Sequence, residues 1–320
     1  MKHFKHFIIK NLALTREELE IVHEAAKYDT YIETVSNKAD TIHRKIKQEY
    51  PETLEVSYSK YVTKLVRKQR LGLVDLICDI TTEDFYGEVQ GFHIHGWTGK
   101  DGVQGKFHYL VVGILFRNKM IPFYGMIVRL GRSKAEMIGR ALQYCHSIGL
   151  KISKILFDRG FYIGELIDKL KMEKVNYLIF VPKRQLFKCM LEGTEKSVVI
   201  EHEIPYNLNK SRCYAETNIA LVKDVLGYDW VFATDLSMRS IARYVAVYRR
   251  RWNIETMFRV HDEARIKTKS TVPVVRLFYF LISLLLVALW NIFQKQKMTF
   301  KLFVISLLVV GKNVAINKKA

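Results

Sequence analysis

Apolar positions along the chain change their spacing twice, and each change marks a region predicted to fold differently. Up to about residue 70 they recur at helical intervals. Thr15, three residues before Glu18, predicts a capping box ahead of the first apolar-periodic run, and Pro51 separates later helical stretches. The last of these, SYSKYVTKLVRKQR, is basic along one side, a pattern that suits contact with DNA as well as a solvated charged face. From residue 71 the pattern becomes strand-like: LGLVDLICDI is a continuous apolar run of the kind buried on both faces, and it places Asp79 at its carboxyl end. Beyond the Gly-rich stretch GWTGKDGVQGK, residues 108–116 and 120–128 are predicted as two strands of a hairpin around Arg117, Asn118 and Lys119. Ser133 opens a helical pattern through about Ile148. Residues 152–157 form a fourth strand closing on Asp158 and the turn DRGF, and a short helix near 163–170 and a fifth strand at 176–181 complete the unit.

The character changes again over 183–228, where SVVIEHEI and CYAETNIALV alternate in polarity and predict a small β-rich insertion. Apolar sequence resumes at WVFA, residues 230–233, and leads to an Arg-rich helix, YVAVYRRRWNIETMFRVHDE. The expected division is therefore a helical N-terminal region (1–70, a candidate for DNA binding), a core in two parts (71–182 and 229–320), and the insertion (183–228) between them. The expected fold is α/β, a mixed sheet flanked by helices. In open sheets of this kind chemistry gathers at the carboxyl ends of strands, where Asp79 and Asp158 are expected to meet.

Composition narrows the partners. Lys and Arg number 51 against 32 Asp and Glu, a net charge of +19, which favours polyanions, nucleic acid first. The excess is local: residues 239–276 hold ten Lys or Arg against three acids, a surplus of seven. Four scattered cysteines without a CxxC pair argue against a zinc knuckle or a disulfide framework and for a reducing compartment, so a cytoplasmic, nucleoid-associated location is expected. The segment 277–294, LFYFLISLLLVALWNIFQ, is uncharged and sits at the lower length limit for a bilayer span. A helix buried on all sides, accommodating Ser283 and Asn291, is the preferred expectation, with no membrane partner.

On the Arg-rich helix Tyr248, Arg251 and Glu255 fall on one face, a phenol, a guanidinium and a lone carboxylate together, while Arg249 and Arg250 point elsewhere and add positive charge. Three carboxylates on rigid elements suit hard divalent cations, with Asp79 as the bridging ligand and Asp158 and Glu255 on either side. Other candidates are weaker. His93 and His95 share a strand face but lack further ligands for zinc, Cys78 should point into the core, and Glu83 and Asp84 are expected as supporting groups or a solvated turn. Phe187, Tyr206 and Tyr214 in the insertion could stack on an unpaired base, although burial is the commoner fate of such residues.

Asp79-Ile80-Thr81, the turn Asp158-Arg159-Gly160-Phe161 and the spaced Tyr248, Arg251 and Glu255 together resemble the DDE transposases of prokaryotic insertion sequences, within the ribonuclease-H-like superfamily. That resemblance extends over nearly everything after Leu71, including the insertion between the second and third acids. It implies metal-dependent cleavage at the ends of an element and strand transfer by the freed 3′-hydroxyl. It also implies two Mg2+ ions (or Mn2+) on Asp79, Asp158 and Glu255, double-stranded DNA as element end and target, and a homodimer. Tyr248 and Arg251 would hold the DNA end, with Arg249 and Arg250 close by. The chain departs from the family at Asp262, where a Lys follows the Glu by seven residues in the pattern; Arg259, four residues after Glu255, is the nearest cation to replace it. A catalytically silent DNA-binding derivative and a nuclease without strand transfer are the alternatives.

Overall fold

Residues 14–69, 71–96, 101–116, 119–293 and 298–307 are described by a computed structural model of the chain. Arg117 and Asn118 of the expected hairpin, part of the Gly-rich stretch and Gln294 at the end of the apolar segment lie outside them. Thr15 caps helix α1 (Arg16–Tyr28) with the predicted capping box, and α2 (Ile32–Val35), α3 (Ala39–Ile46) and α4 (Pro51–Arg67) follow. Pro51 stands in the first turn of α4, where its missing N–H costs nothing.

Among the described residues nine strands form one mixed sheet: β1 (Val74–Phe85), β2 (Ile94–Gly96), β3 (Gly105–Phe116), β4 (Lys119–Ile127), β5 (Ile152–Phe157), β6 (Tyr177–Phe180), β7 (Val198–Leu208), β8 (Ser211–Val225) and β9 (Tyr228–Thr234). Its middle runs β4-β3-β1-β5-β6, with β3 antiparallel to β1 and β5 and β6 parallel to it, the ribonuclease-H-like arrangement. Helices α5 (Lys134–Ser147) and α6 (Gly164–Met172) make the connections between β4, β5 and β6. The segment expected as a separate insertion supplies α7 (Gln185–Glu192) and the β7–β8 hairpin, and it continues the main sheet, because β9 pairs with β6 on one edge and β8 on the other.

Asp79 is not at the end of its strand. β1 continues to Phe85 along β3; what stops is the parallel pairing with β5, whose last partners are Cys78 and Phe157. Asp79 and Asp158 therefore each follow the final paired residue of adjoining parallel strands, about 5 Å apart at the backbone by strand spacing.

The apolar run at 277–294 becomes α10 (Pro273–Phe293), long and apolar enough by composition to cross a membrane, yet 89% of its most apolar window is buried inside the fold. It packs on β4 and α4. Gly125 permits the close approach, since a Cβ there would meet Leu281 at 3.0 Å. The polar residues in the run are bonded: Ser283 donates to the Ala264 carbonyl and Asn291 to that of Met120, both at 2.8 Å.

α4 docks on the sheet through a buried carboxyl. Glu55 accepts from the Ile127 N–H at 3.2 Å, whereas Arg140 stays 3.6 Å away, too far for a hydrogen bond. Burial pushes its pKa up to about 8. The folded value lies above that of the unfolded chain, so the stabilisation is complete below about pH 4.5 and is lost as pH rises towards about 8. Unfolding by denaturant should show stability falling over this window by at most about 1.4 kcal/mol per pH unit. Glu55→Gln should flatten the slope and leave the variant the more stable protein at alkaline pH; an unchanged slope would refute the assignment.

Candidate active site

The Arg-rich segment is two helices, α8 (Ala242–Arg249) and α9 (Trp252–Asp262), rather than the single one expected. At the joint the bonds tighten to three-residue spacing, Arg251 N–H to Tyr248 O at 2.8 Å and Ile254 N–H to Arg251 O at 2.9 Å. In that spacing side chains three apart eclipse. Arg251 thus lies along Tyr248, its Nε donating to the phenol oxygen at 3.1 Å and its guanidinium 5.6 Å from the ring centre.

This joint links the acids. Arg251 Nη1 donates to Asp79 Oδ2 at 3.0 Å, and Nη2 bonds Glu255 Oε1 one turn later. The Tyr248 hydroxyl donates to Asp158 Oδ1 at 3.3 Å. All three sequence-predicted carboxylates therefore meet one Tyr–Arg pair. Arg251 is buried, Asp79 has a side chain 20% exposed, and Glu255 opens to solvent with 57%.

Electrostatics reports the crowding. Burial, together with the charges of Asp158 and Glu255, raises the Asp79 pKa, against the opposing effects of the Ile80 N–H and Arg251. Burial works against the charge of Arg251, but Tyr248, Asp79, Asp158 and Glu255 together hold its pKa above the ordinary value. Burial also raises that of Tyr248, so the phenol remains a donor at neutral pH. Among the described residues no three His, Cys, Asp or Glu side chains are close enough to enclose a metal ion together. The donor set nevertheless fits hard divalent cations in kind, and the Arg251 guanidinium stands in as the positive charge between Asp79 and Glu255.

The other basic residues separate. Arg250 is drawn to Asp75, which lies four residues before Asp79 on β1 and also holds Lys154 at 2.8 Å. Arg249 is exposed and lies over Trp252 at 5.1 Å. Arg259 is exposed one turn beyond Glu255. Asp262 is also exposed, and Arg265 Nη1 at 3.9 Å partly offsets its negative charge.

Two features escaped the sequence. Arg249 and Trp252 line a hollow of about 590 Å3 with Phe180, Lys183, Tyr228 and Trp230, beside the Tyr248 ring. The adjacency of Trp252 to Arg251 was the available signal. Lys134, in the first turn of α5, reaches the DRGF turn, whereas the sequence marks only its neighbour Ser133, as the start of the helix. The aromatics singled out in the insertion behave otherwise: Phe187 is core and Tyr206 is bonded to Asp168 at 2.6 Å, leaving only Tyr214 exposed. Cys78 is buried, as expected; His95 stacks on His108 at 4.1 Å. Glu83 and Asp84 lie within β1, and Glu83 anchors Arg276 and Tyr109.

A family model described as a transposase DDE domain matches residues 88–290, a span that holds Asp158, Tyr248, Arg251 and Glu255 and begins after Asp79. The fold is similar to that in a cryo-EM structure of the piggyBac transposase synaptic complex with hairpin DNA, with a TM-score of 0.53 and 14% identity over 90% of this chain and 68% of that one. A Drosophila P element transposase strand transfer complex matches at a TM-score of 0.24 and 10% identity, over 87% and 65% of the respective chains, too weakly to bear on the fold. Comparison with curated proteins finds no match.

Proposed function

Because the chain belongs to the transposase DDE domain family, matched over residues 88–290, we propose that it cuts phosphodiesters at the ends of a mobile DNA element and joins the freed 3′-hydroxyl to target DNA. The observation that carries this reading is Asp79 and Asp158 on adjoining parallel strands, with Glu255 tied to them through Arg251 and Tyr248. Asp79, Asp158 and Glu255 would hold two divalent cations, Mg2+ or Mn2+, which when bound activate the attacking oxygen and stabilise the leaving one. Tyr248 and Arg251 orient the DNA end through its phosphates, positioning the scissile bond without reading sequence. Arg249 and Arg259, both exposed, extend the same positive wall. The aromatic hollow around Trp252 and Tyr228 is suited to an unstacked base, with Lys183 and Arg249 beside it for the backbone.

In this reading residues 71–182 and 229–320 make the catalytic core. The segment 183–228 is an accessory to it, and the exposed Lys60, Lys64 and Lys68 of the N-terminal region add phosphate contacts. Two element ends must be held together, for which a homodimer is the economical assembly.

The test uses duplexes taken from the DNA flanking the coding sequence, with Mg2+ or Mn2+, scoring nicking and joining by gel. Binding without nicking would select a silent DNA-binding protein, nicking without joining a nuclease, and neither binding nor nicking would reject the reading. Asp262→Lys returns a cation to the face of Glu255. It should tighten end binding about tenfold at low salt and steepen the salt dependence by about one to two counterions. Unchanged affinity would mean that this turn of α9 does not face DNA.

A further inference from the structure

Lys134 is placed at a local cost. It occupies the first position of α5, where the positive end of the helix dipole disfavours an ammonium, and it is half-buried. Among the described residues no carboxylate lies within ion-pairing distance of it. Its Nζ donates instead to the carbonyl of Gly160 at 2.6 Å, in the turn directly after Asp158, and rests 5.1 Å from the Phe161 ring centre. An ammonium has three donors, and Gly160 uses one. Burial lowers the Lys134 pKa, and the charges of Asp79 and Asp158 are among those that oppose the shift; the same two acids act on Arg251, which arrives from the α8–α9 joint.

A cation held beside two carboxylates, bonded only to a neutral carbonyl and set against its own helix dipole, does little for the fold. Its spare donors suit a third party, an anion lying across the same acids. We propose that Lys134 is a phosphate-contacting residue, donating to a non-bridging oxygen of the scissile phosphodiester from α5, a different element from the one that carries Arg251. The proposal rests on the transposase reading and adds to it a residue outside the Asp–Asp–Glu and Tyr–Arg sets.

The experiment compares wild type with Lys134→Met, Lys134→Gln and Lys134→Arg. End-bearing duplexes carry either the normal phosphodiester or an uncharged methylphosphonate at the cleavage position mapped with wild type. Binding is read by fluorescence anisotropy in Ca2+, and folding by thermal melting. Wild type should lose about tenfold or more in affinity on the methylphosphonate, the usual effect of a lost hydrogen bond to a charged group. Lys134→Met and Lys134→Gln should bind the normal end that much more weakly and lose clearly less than wild type on the methylphosphonate. Lys134→Arg should recover most of the affinity. Melting temperatures of the Met and Gln variants should equal or exceed that of wild type, an outcome that a structural lysine would not give.

A full methylphosphonate penalty in the Met and Gln variants, or none in wild type, would overturn the proposal; so would loss of folding in both. Asp158→Asn separates the two layers. If it abolishes cleavage while Lys134→Met keeps the wild-type penalty, only the Lys134 assignment fails. If Asp158→Asn cleaves normally, the transposase reading itself fails.

Discussion

Asp79→Asn, Asp158→Asn and Glu255→Gln are each expected to lower divalent-metal-dependent cleavage by about a thousandfold or more, since each removes a charged ligand from a site that works by charge stabilisation. Their effects on folding should differ, and the difference makes the experiment informative. Glu255 is largely exposed, so its end of the pair with Arg251 is solvated, and the guanidinium keeps Asp79 and Tyr248; Glu255→Gln should melt within about 1 kcal/mol of wild type. Asp79 is mostly buried and faces a buried guanidinium; its substitution leaves Arg251 short of a partner and should cost about 1–3 kcal/mol. Asp158, whose carboxylate accepts the long bond from Tyr248, should fall between them. Initial rates on labelled duplexes, alongside calorimetric melting, would check both. Wild-type cleavage by any of the three would remove that residue from the chemistry.

The largest effect on stability is expected at Arg276, far from these acids in sequence but joined to the same strand. Arg276 is buried at the start of α10. Its Nη1 donates to Glu83 Oε1 at 2.6 Å, its Nε donates to the Ser270 carbonyl at 2.7 Å, and the guanidinium packs on the rings of Phe85 and Phe107. Glu83 also accepts from the Tyr109 hydroxyl at 2.7 Å, with Arg265 at 3.6 Å. Arg276→Met removes the nearest cation from a buried carboxylate, and breaking such a pair from one side costs about 3–5 kcal/mol. The double variant Glu83→Gln/Arg276→Met should be less destabilised than the sum of the two single changes, because neither charge is then stranded. Denaturant unfolding of all four proteins gives the cycle. A loss under about 1 kcal/mol for Arg276→Met would show the pair to be incidental.

Arg276 and Arg251 have a common lesson. Both stand on segments that the sequence identifies as basic, and the excess of cations at 239–276 points to a polyanion. In the folded protein several of these cations are already spoken for: Arg250 by Asp75, Arg251 by Asp79 and Glu255, and Arg276 by Glu83. Arg249 and Arg259 remain exposed. Counting charge along a chain does not separate these groups, because Asp75, Asp79 and Glu83 lie on β1, more than a hundred residues earlier.

Local pattern was sufficient for the elements and their kinds. The capping box at Thr15, the apolar strand ahead of Asp79, the cap at Ser133 and the strand closing on Asp158 depend on neighbours a few residues away, and such short-range preferences are written directly in spacing. The order of the acids and the Tyr–Arg–Glu face could likewise be read without coordinates. Only the tertiary structure decided that Asp79 lies within a longer strand where its parallel neighbour ends, and that the Arg-rich helix breaks at Arg251 so that one guanidinium spans two acids. It also decided that Lys134 comes in from α5, and that the β7–β8 hairpin joins the main sheet. Each of these follows from strand register and from packing between distant segments, and a one-dimensional pattern carries no term for either.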